Sequence, residues 1–119
     1  MLKDNHIDFC GGLALALTRT KAYVDALDKR VPVIVETRNI KEVCVCMQNP
    51  WISRILLDNM SPKDLALAVS HINGNIPTEA SGNIELENVA TYAETGVDYV
   101  SMGAITHAAS TVDLSLGAV

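Results

Sequence analysis

Aromatic residues are scarce in this 119-residue chain: one Trp, three Tyr and one Phe. A core built without them must be aliphatic, packed from Val, Ile, Leu and Ala. Basic charge is also short. Nine Lys and Arg stand against fourteen Asp and Glu, a net charge of −5, which argues against a nucleic-acid partner, since such a partner needs a basic face. One small anionic ligand is still allowed, because it needs only a few local donors. No apolar run approaches the ~20 residues of a membrane-spanning helix. No basic, serine-rich leader is visible either, so the expected compartment is the cytoplasm. The cysteines are Cys10, Cys44 and Cys46. An odd count without a secretory signal reads as reduced thiols. Cys44 and Cys46 stand two apart in a helical pattern and do not face each other, which disfavours a shared metal. Linkers and low-complexity segments are missing too, so a single domain is expected over residues 1–119.

What the chain does have is a repeat. Met1-Leu2 reads as the end of a buried strand, followed at once by the polar cluster Lys3-Asp4-Asn5-His6. The same pattern, an apolar run ending on a polar or turn-forming residue, returns at Glu36, Asp58, Ser81 and Gly103. The intervals from Lys3 onward are 33, 22, 23 and 22 residues. A helix-like segment fills each gap. Leu13, Ala16, Leu17, Tyr23, Val24 and Leu27 predict a helix over 13–28. Val31-Pro32-Val33-Ile34-Val35 is a β-branched strand ending on Glu36, with its Pro near the start, where a strand tolerates it. Ile40, Val43, Cys44 and Met47 mark a short helix stopped by Asn49-Pro50. Ile52 to Leu57 is the next strand. Ser61-Pro62-Lys63-Asp64 then opens a helix, with Ser61 as cap, Pro62 at the first position and Asp64 at the positive end of the dipole. A weaker strand, 75–80, precedes a helix carrying Val89, Tyr92 and Ala93 inward. Gly96 sits where a left-handed residue ends a helix. Val97 to Met102 is the last strand, and Ile105 to Leu116 is read as a final helix.

Strands alternating with helices imply an α/β fold of repeated βα units, with parallel strands joined by right-handed crossovers. Ligands of such folds sit at the C-terminal ends of the strands. Those ends carry Lys3, Glu36, Asp58, Ser81-Gly82-Asn83 and Gly103: one cation, two carboxylates and two small-residue turns. A ligand with a phosphate and neutral hydroxyls fits this set. Its phosphate would go to backbone N–H groups at Ser81-Gly82-Asn83 and at Gly103. Glu36 and Asp58 would accept from hydroxyls or hold a hydrated Mg²⁺. Each feature alone has an ordinary reading. A Lys after a strand is usually solvated, a terminal carboxylate is often a cap, and Ser-Gly-Asn is a common turn. Their recurrence at one place in the repeat is what argues for a site. His6 is expected to bond locally, His107 to decorate the final turn, and Met47 and Met102 to fill the core.

Several stretches together resemble the quinolinate phosphoribosyltransferase family. They are Met1-Leu2-Lys3-Asp4-Asn5-His6-Ile7, Val35-Glu36-Thr37-Arg38, Leu56-Leu57-Asp58-Asn59-Met60, Glu79-Ala80-Ser81-Gly82, Tyr92-Ala93-Glu94-Thr95-Gly96-Val97-Asp98-Tyr99 and Gly103-Ala104-Ile105-Thr106-His107. The resemblance implies the C-terminal portion of an open, TIM-like α/β barrel, without the N-terminal sandwich domain and the early barrel strands. It also implies a reaction that joins quinolinate to phosphoribosyl pyrophosphate, releases pyrophosphate and CO₂, and requires Mg²⁺. Under it Lys3, Glu36 and Asp58 are the catalytic candidates. Lys3 would pair with a quinolinate carboxylate or the pyrophosphate. Glu36 and Asp58 would hold the ribose hydroxyls, stabilise a cationic ribose and carry Mg²⁺ through water. Ser81, Gly82, Asn83 and Gly103 would cradle the 5′-phosphate. Members form dimers or larger homo-oligomers.

Two departures from the family pattern stand out. Where many members have Glu-Val-Glu, this chain has Ile34-Val35-Glu36. Asn83 replaces a usual second Gly, and Asn is the next most tolerant residue of a positive φ. A complete barrel takes ~250 residues, so the expectation is a fragment or truncated product, inactive alone. The alternatives are a non-catalytic phosphate-binding half-barrel and an interaction remnant. Two open sheet edges would favour self-association.

Overall fold

The computed structural model describes residues 1–103. The expected final helix, Ile105 to Leu116, and His107 lie outside the described residues.

Four parallel strands, β1 (Ile34–Thr37), β2 (Arg54–Asp58), β3 (Thr78–Ser81) and β4 (Tyr99–Val100), lie in the order β1-β2-β3-β4. Leu2 extends the sheet beyond β1 with a parallel bridge to Val35. Its N–H donates to the Ile34 carbonyl at 2.8 Å, and its carbonyl accepts from the Glu36 N–H at 2.9 Å. Strands that neighbour each other in sequence order advance in one direction around a wall. A doubly wound sheet would instead reverse its order at a switch point. The connecting helices are α1 (Asp4–Phe9), α2 (Leu13–Asp25), α3 (Ile40–Met47), α4 (Pro62–Ile72) and α5 (Val89–Ala93). Each packs on the next, α1 on α2 through to α4 on α5. This is the expected α/β architecture of repeated βα units.

The two faces of the sheet differ because side chains alternate along a strand. Val35, Ile55, Leu57 and Ala80 point to the helices and share one core with Val43, Leu65, Ala68 and Ile72. Glu36, Arg54, Leu56, Glu79 and Tyr99 occupy the intervening positions, and Leu56, although buried, stands outside that core. Helix α4 starts as its sequence dictates. Ser61 Oγ accepts the Asp64 N–H at 3.2 Å, Pro62 is the first helical residue, and Asn73 closes the helix at φ 48°. Met47 and Met102 pack against the core as expected.

The structure corrects several boundaries. The opening polar cluster, read only as following a strand end, starts helix α1, with extended Lys3 as its cap residue, whose N–H donates to His6 Nδ1 at 3.0 Å. Strand β1 runs one residue past its expected end at Glu36, to Thr37, because buried Thr37 satisfies its hydroxyl on the Leu56 carbonyl at 3.2 Å. Helix α2 ends at Asp25, and Tyr23 is 68% exposed. At 100° per residue it falls at the margin of the stripe centred by Leu13, Leu17 and Val24, so its bulk turns to water. In α3 the fully buried thiol is Cys46, while half-buried Cys44 turns toward α4 and lies 3.4 Å from His71 Nε2. Helix α5 buries no residue fully, and Ala93 is exposed.

Candidate functional site

The C-terminal edge of the sheet gathers the expected residues, but on a slope. Leu2 bridges Val35, so Lys3 stands beside Glu36. Glu36 pairs with Leu56, whereas Asp58, two residues further along β2, pairs with Ser81. In sequence the strand-end residues recur at one place in the repeat. Glu36 instead lies inside its strand, below Asp58, and this is the stagger that a tilted barrel wall imposes on neighbouring strands. Beyond β4, the Ser101 N–H donates to the Ala80 carbonyl at 2.9 Å. Residues 101–103 therefore leave the sheet alongside the Ser81-Gly82-Asn83 turn.

Glu36 is the electrostatic centre of this edge. It is half-buried, and its Oε1 accepts the Asp4 N–H at 3.3 Å. Burial lifts its carboxyl above the usual carboxylate range. The Asp4 N–H opposes that, the Asp58 and Asp4 charges add to it, and Lys3 opposes it again. Lys3, Asp4, Glu36 and Asp58 thus share one neighbourhood. Lys3 is exposed, and its ammonium makes no ion pair among the described residues. It remains available to an anion.

The turn after β3 has an unusual backbone. Gly82 sits at φ 89° and Asn83 at φ 52°. The backbone N–H groups of Gly82 and Asn83 meet no acceptor within the chain among the described residues. Adjacent free N–H groups of this kind are what an anion needs. They belong to a turn and not to a helix start. Helix α5 begins only at Val89, because Asn88 accepts the Glu85 N–H at 2.9 Å and donates to the Asn83 carbonyl at 3.1 Å, closing a turn first.

Residues 1–117 match the family described as quinolinate phosphoribosyl transferase, C-terminal domain. The chain belongs to the quinolinate phosphoribosyltransferase family. It is 41% identical to quinolinate phosphoribosyltransferase [decarboxylating] 1 of Nicotiana glauca, with 98% of this chain and 37% of that protein covered. It is 37% identical to the chloroplastic nicotinate-nucleotide pyrophosphorylase [carboxylating] of Arabidopsis thaliana, with 98% and 37% covered. The crystal structure of nicotinate-nucleotide pyrophosphorylase from Ehrlichia chaffeensis superposes with a TM-score of 0.78 at 40% identity, over 88% of this chain and 36% of that one. The chain therefore spans about 37% of the length of the curated relatives it matches. As a quinolinate phosphoribosyltransferase C-terminal domain, it has the barrel-wall topology that its strand order already required. No described helix is long and apolar enough to cross a membrane.

The carboxylates offer oxygen donors, which suit hard divalent cations. Among the described residues no group of three or more His, Cys, Asp and Glu converges on a point. Glu36 and Asp58 are an oxygen-only pair close enough to repel each other. That pair fits hydrated Mg²⁺, which is typically held by one or two carboxylates together with substrate phosphate. It does not fit a dedicated all-protein cage.

Two features escape the sequence reading. Arg54 Nη1 donates to Glu79 Oε2 at 2.8 Å, and the Ser101 hydroxyl donates to Glu79 Oε1, a charged row across β2, β3 and the end of β4. Arg54 and Glu79 inside otherwise apolar strands were the available signal. The second is Asn59. It lies at φ 52°, donates from Nδ2 to Asp58 Oδ2 at 2.7 Å and accepts from Asn83 Nδ2 at 3.0 Å. Nothing in its spacing marked it.

Proposed function

We propose that this chain supplies the ribose- and phosphate-binding part of a quinolinate phosphoribosyltransferase site. The reaction joins the pyridine nitrogen of quinolinate to the ribose carbon that loses pyrophosphate. The neighbouring carboxylate leaves as CO₂, and a proton takes its place. One observation carries the reading. Within a chain that matches the family over residues 1–117, a free cation, two carboxylates and a turn with unpaired N–H groups share one strand-end edge.

The N–H groups of Gly82 and Asn83, with the Ser81 hydroxyl and the Gly103 backbone, bind the 5′-phosphate. Asp58 and Glu36 accept from the ribose hydroxyls, and their charge favours the cationic ribose that develops as pyrophosphate departs. Positive charge arriving at Glu36 opposes the burial and the Asp58 and Asp4 charges that raise its carboxyl. Lys3 pairs with a quinolinate carboxylate or the pyrophosphate. Glu36 and Asp58 would hold Mg²⁺ through water, and the ion, when bound, neutralises pyrophosphate charge. The reading includes a homo-oligomer and a cytoplasmic setting in keeping with three free thiols.

Titration of the ¹⁵N-labelled chain with ribose 5-phosphate tests this. The expected result is movement of the Gly82 and Asn83 amide signals, lost in Ser81→Asp, with no turnover of quinolinate and phosphoribosyl pyrophosphate by the 119 residues alone. Shifts confined to other regions would overturn the placement, and steady turnover would overturn the dependence on further groups. The unpaired N–H groups of Gly82 and Asn83 would equally serve one other reading, a half-barrel that binds phosphate without catalysis. Ligand binding with no activity in complex with the remaining parts of a family enzyme would select it.

A further inference from the structure

The Asn59 side chain lies between the two halves of the proposed site and touches both. Its Nδ2 donates to Asp58 Oδ2 at 2.7 Å, which fixes the carboxylate and leaves Oδ1 for a ligand. Its Oδ1 accepts from Asn83 Nδ2 at 3.0 Å, and its backbone N–H donates to the Ser81 carbonyl at 2.9 Å. A Cβ on Gly82 would collide with the Asn59 side-chain amide and lie 2.9 Å from its backbone nitrogen. The turn is therefore folded down onto Asn59. Two left-handed residues, Asn59 and Asn83, both at φ 52°, face each other across it.

We infer that Asn59 is a positioning residue. Through its bond to Asn83 it holds the Asp58 carboxylate and the phosphate turn at the fixed separation of one ribose 5-phosphate. This rests on the phosphate and ribose reading proposed above. The Asn that replaces the usual glycine at position 83 thereby gains a role, because glycine offers no side chain to reach Asn59. A ligand that must satisfy a hydroxyl at Asp58 and a phosphate at the turn together benefits from the preset spacing. A lone phosphate touches one half only and does not. The two ligands separate positioning from a general loss of structure.

The experiment uses the whole 119-residue chain with two probes, ribose 5-phosphate and inorganic phosphate, each titrated against the Gly82 and Asn83 amide signals. Asn59→Gly keeps the left-handed backbone without strain and removes both side-chain bonds. It should weaken ribose 5-phosphate about fivefold, the net worth of one hydrogen bond, and inorganic phosphate by less than about twofold. Asn83→Gly in the Asn59→Gly background should add little further loss for ribose 5-phosphate, because the bond it would break is already gone. Equal weakening of both probes, or of neither, overturns the inference and leaves the site assignment standing. Independent, additive effects of the two substitutions overturn it as well. Failure of the unaltered chain to bind either probe overturns the site assignment, and the inference falls with it.

Discussion

Arg54 on β2 pairs with Glu79 on β3 at 2.8 Å and lies 4.0 Å over the ring of Tyr99 on β4. Three adjacent strands are thus clipped together on the sheet face that the helices do not cover. Glu79 is only 9% exposed, so removing its partner strands a carboxylate. Arg54→Ala should destabilise the chain by about 2 kcal/mol, measured by urea unfolding. Arg54→Leu should do no better, since the carboxylate would keep only the Ser101 hydroxyl and lack its counter-charge.

The same clip sets an acid limit. Burial pushes the Glu79 carboxyl up, but the bonds from Ser101 and Arg54 outweigh it, and the net position is below the ordinary value. A depressed folded-state value stabilises above the unfolded value of about 4.3. That stability is lost as pH falls from there through the folded value. Unfolding free energy should drop across this acid window in the unaltered chain, and drop less steeply in Arg54→Ala.

Glu36 works in the opposite direction. Burial and the charges of Asp58 and Asp4 raise it despite the Asp4 N–H and Lys3. Between its unfolded value, about 4.3, and its higher folded value the native state binds more protons, so its contribution falls as pH rises through that window. Glu36→Gln should therefore match or exceed the unaltered chain in stability at neutral pH while weakening ribose 5-phosphate binding. A loss of neutral-pH stability in this variant would contradict the assigned charge neighbourhood.

Gly82 is required twice, by its φ of 89° and by the Asn59 amide packed where a Cβ would lie. Gly82→Ala should cost about 2 kcal/mol or more and abolish phosphate-dependent shifts. Gly74→Ala, with φ 72° but open space around it, should cost less. The difference between the two in urea midpoints measures the packing contribution.

The thiols should react in a fixed order. Cys46 is fully buried, and burial, helped by the Glu42 charge, pushes it up to about 12. Iodoacetamide should label Cys10 and Cys44 in the native chain and Cys46 only on unfolding, read by mass spectrometry.

The sequence by itself determined the order of elements, the aliphatic core and the strand-end residues. All three follow from local rules. Apolar spacing reports which side a helix or strand buries, and Ser61-Pro62 carries its own cap. The α1 helix, the extension of β1 to Thr37 and the solvent position of Tyr23 were not legible. The first rests on the bond from the Lys3 N–H to His6, the second on the Leu56 carbonyl beside Thr37, and the third on a place at the margin of the apolar stripe. The family resemblance named the residues of the site. Tertiary structure decided how they stand, with Glu36 set below Asp58 by the stagger of the wall. It also joined Arg54 to Glu79, 25 residues apart, and Asn59 to Asn83, 24 residues apart. Such pairs leave no periodic trace, because only strand register brings them within hydrogen-bonding distance.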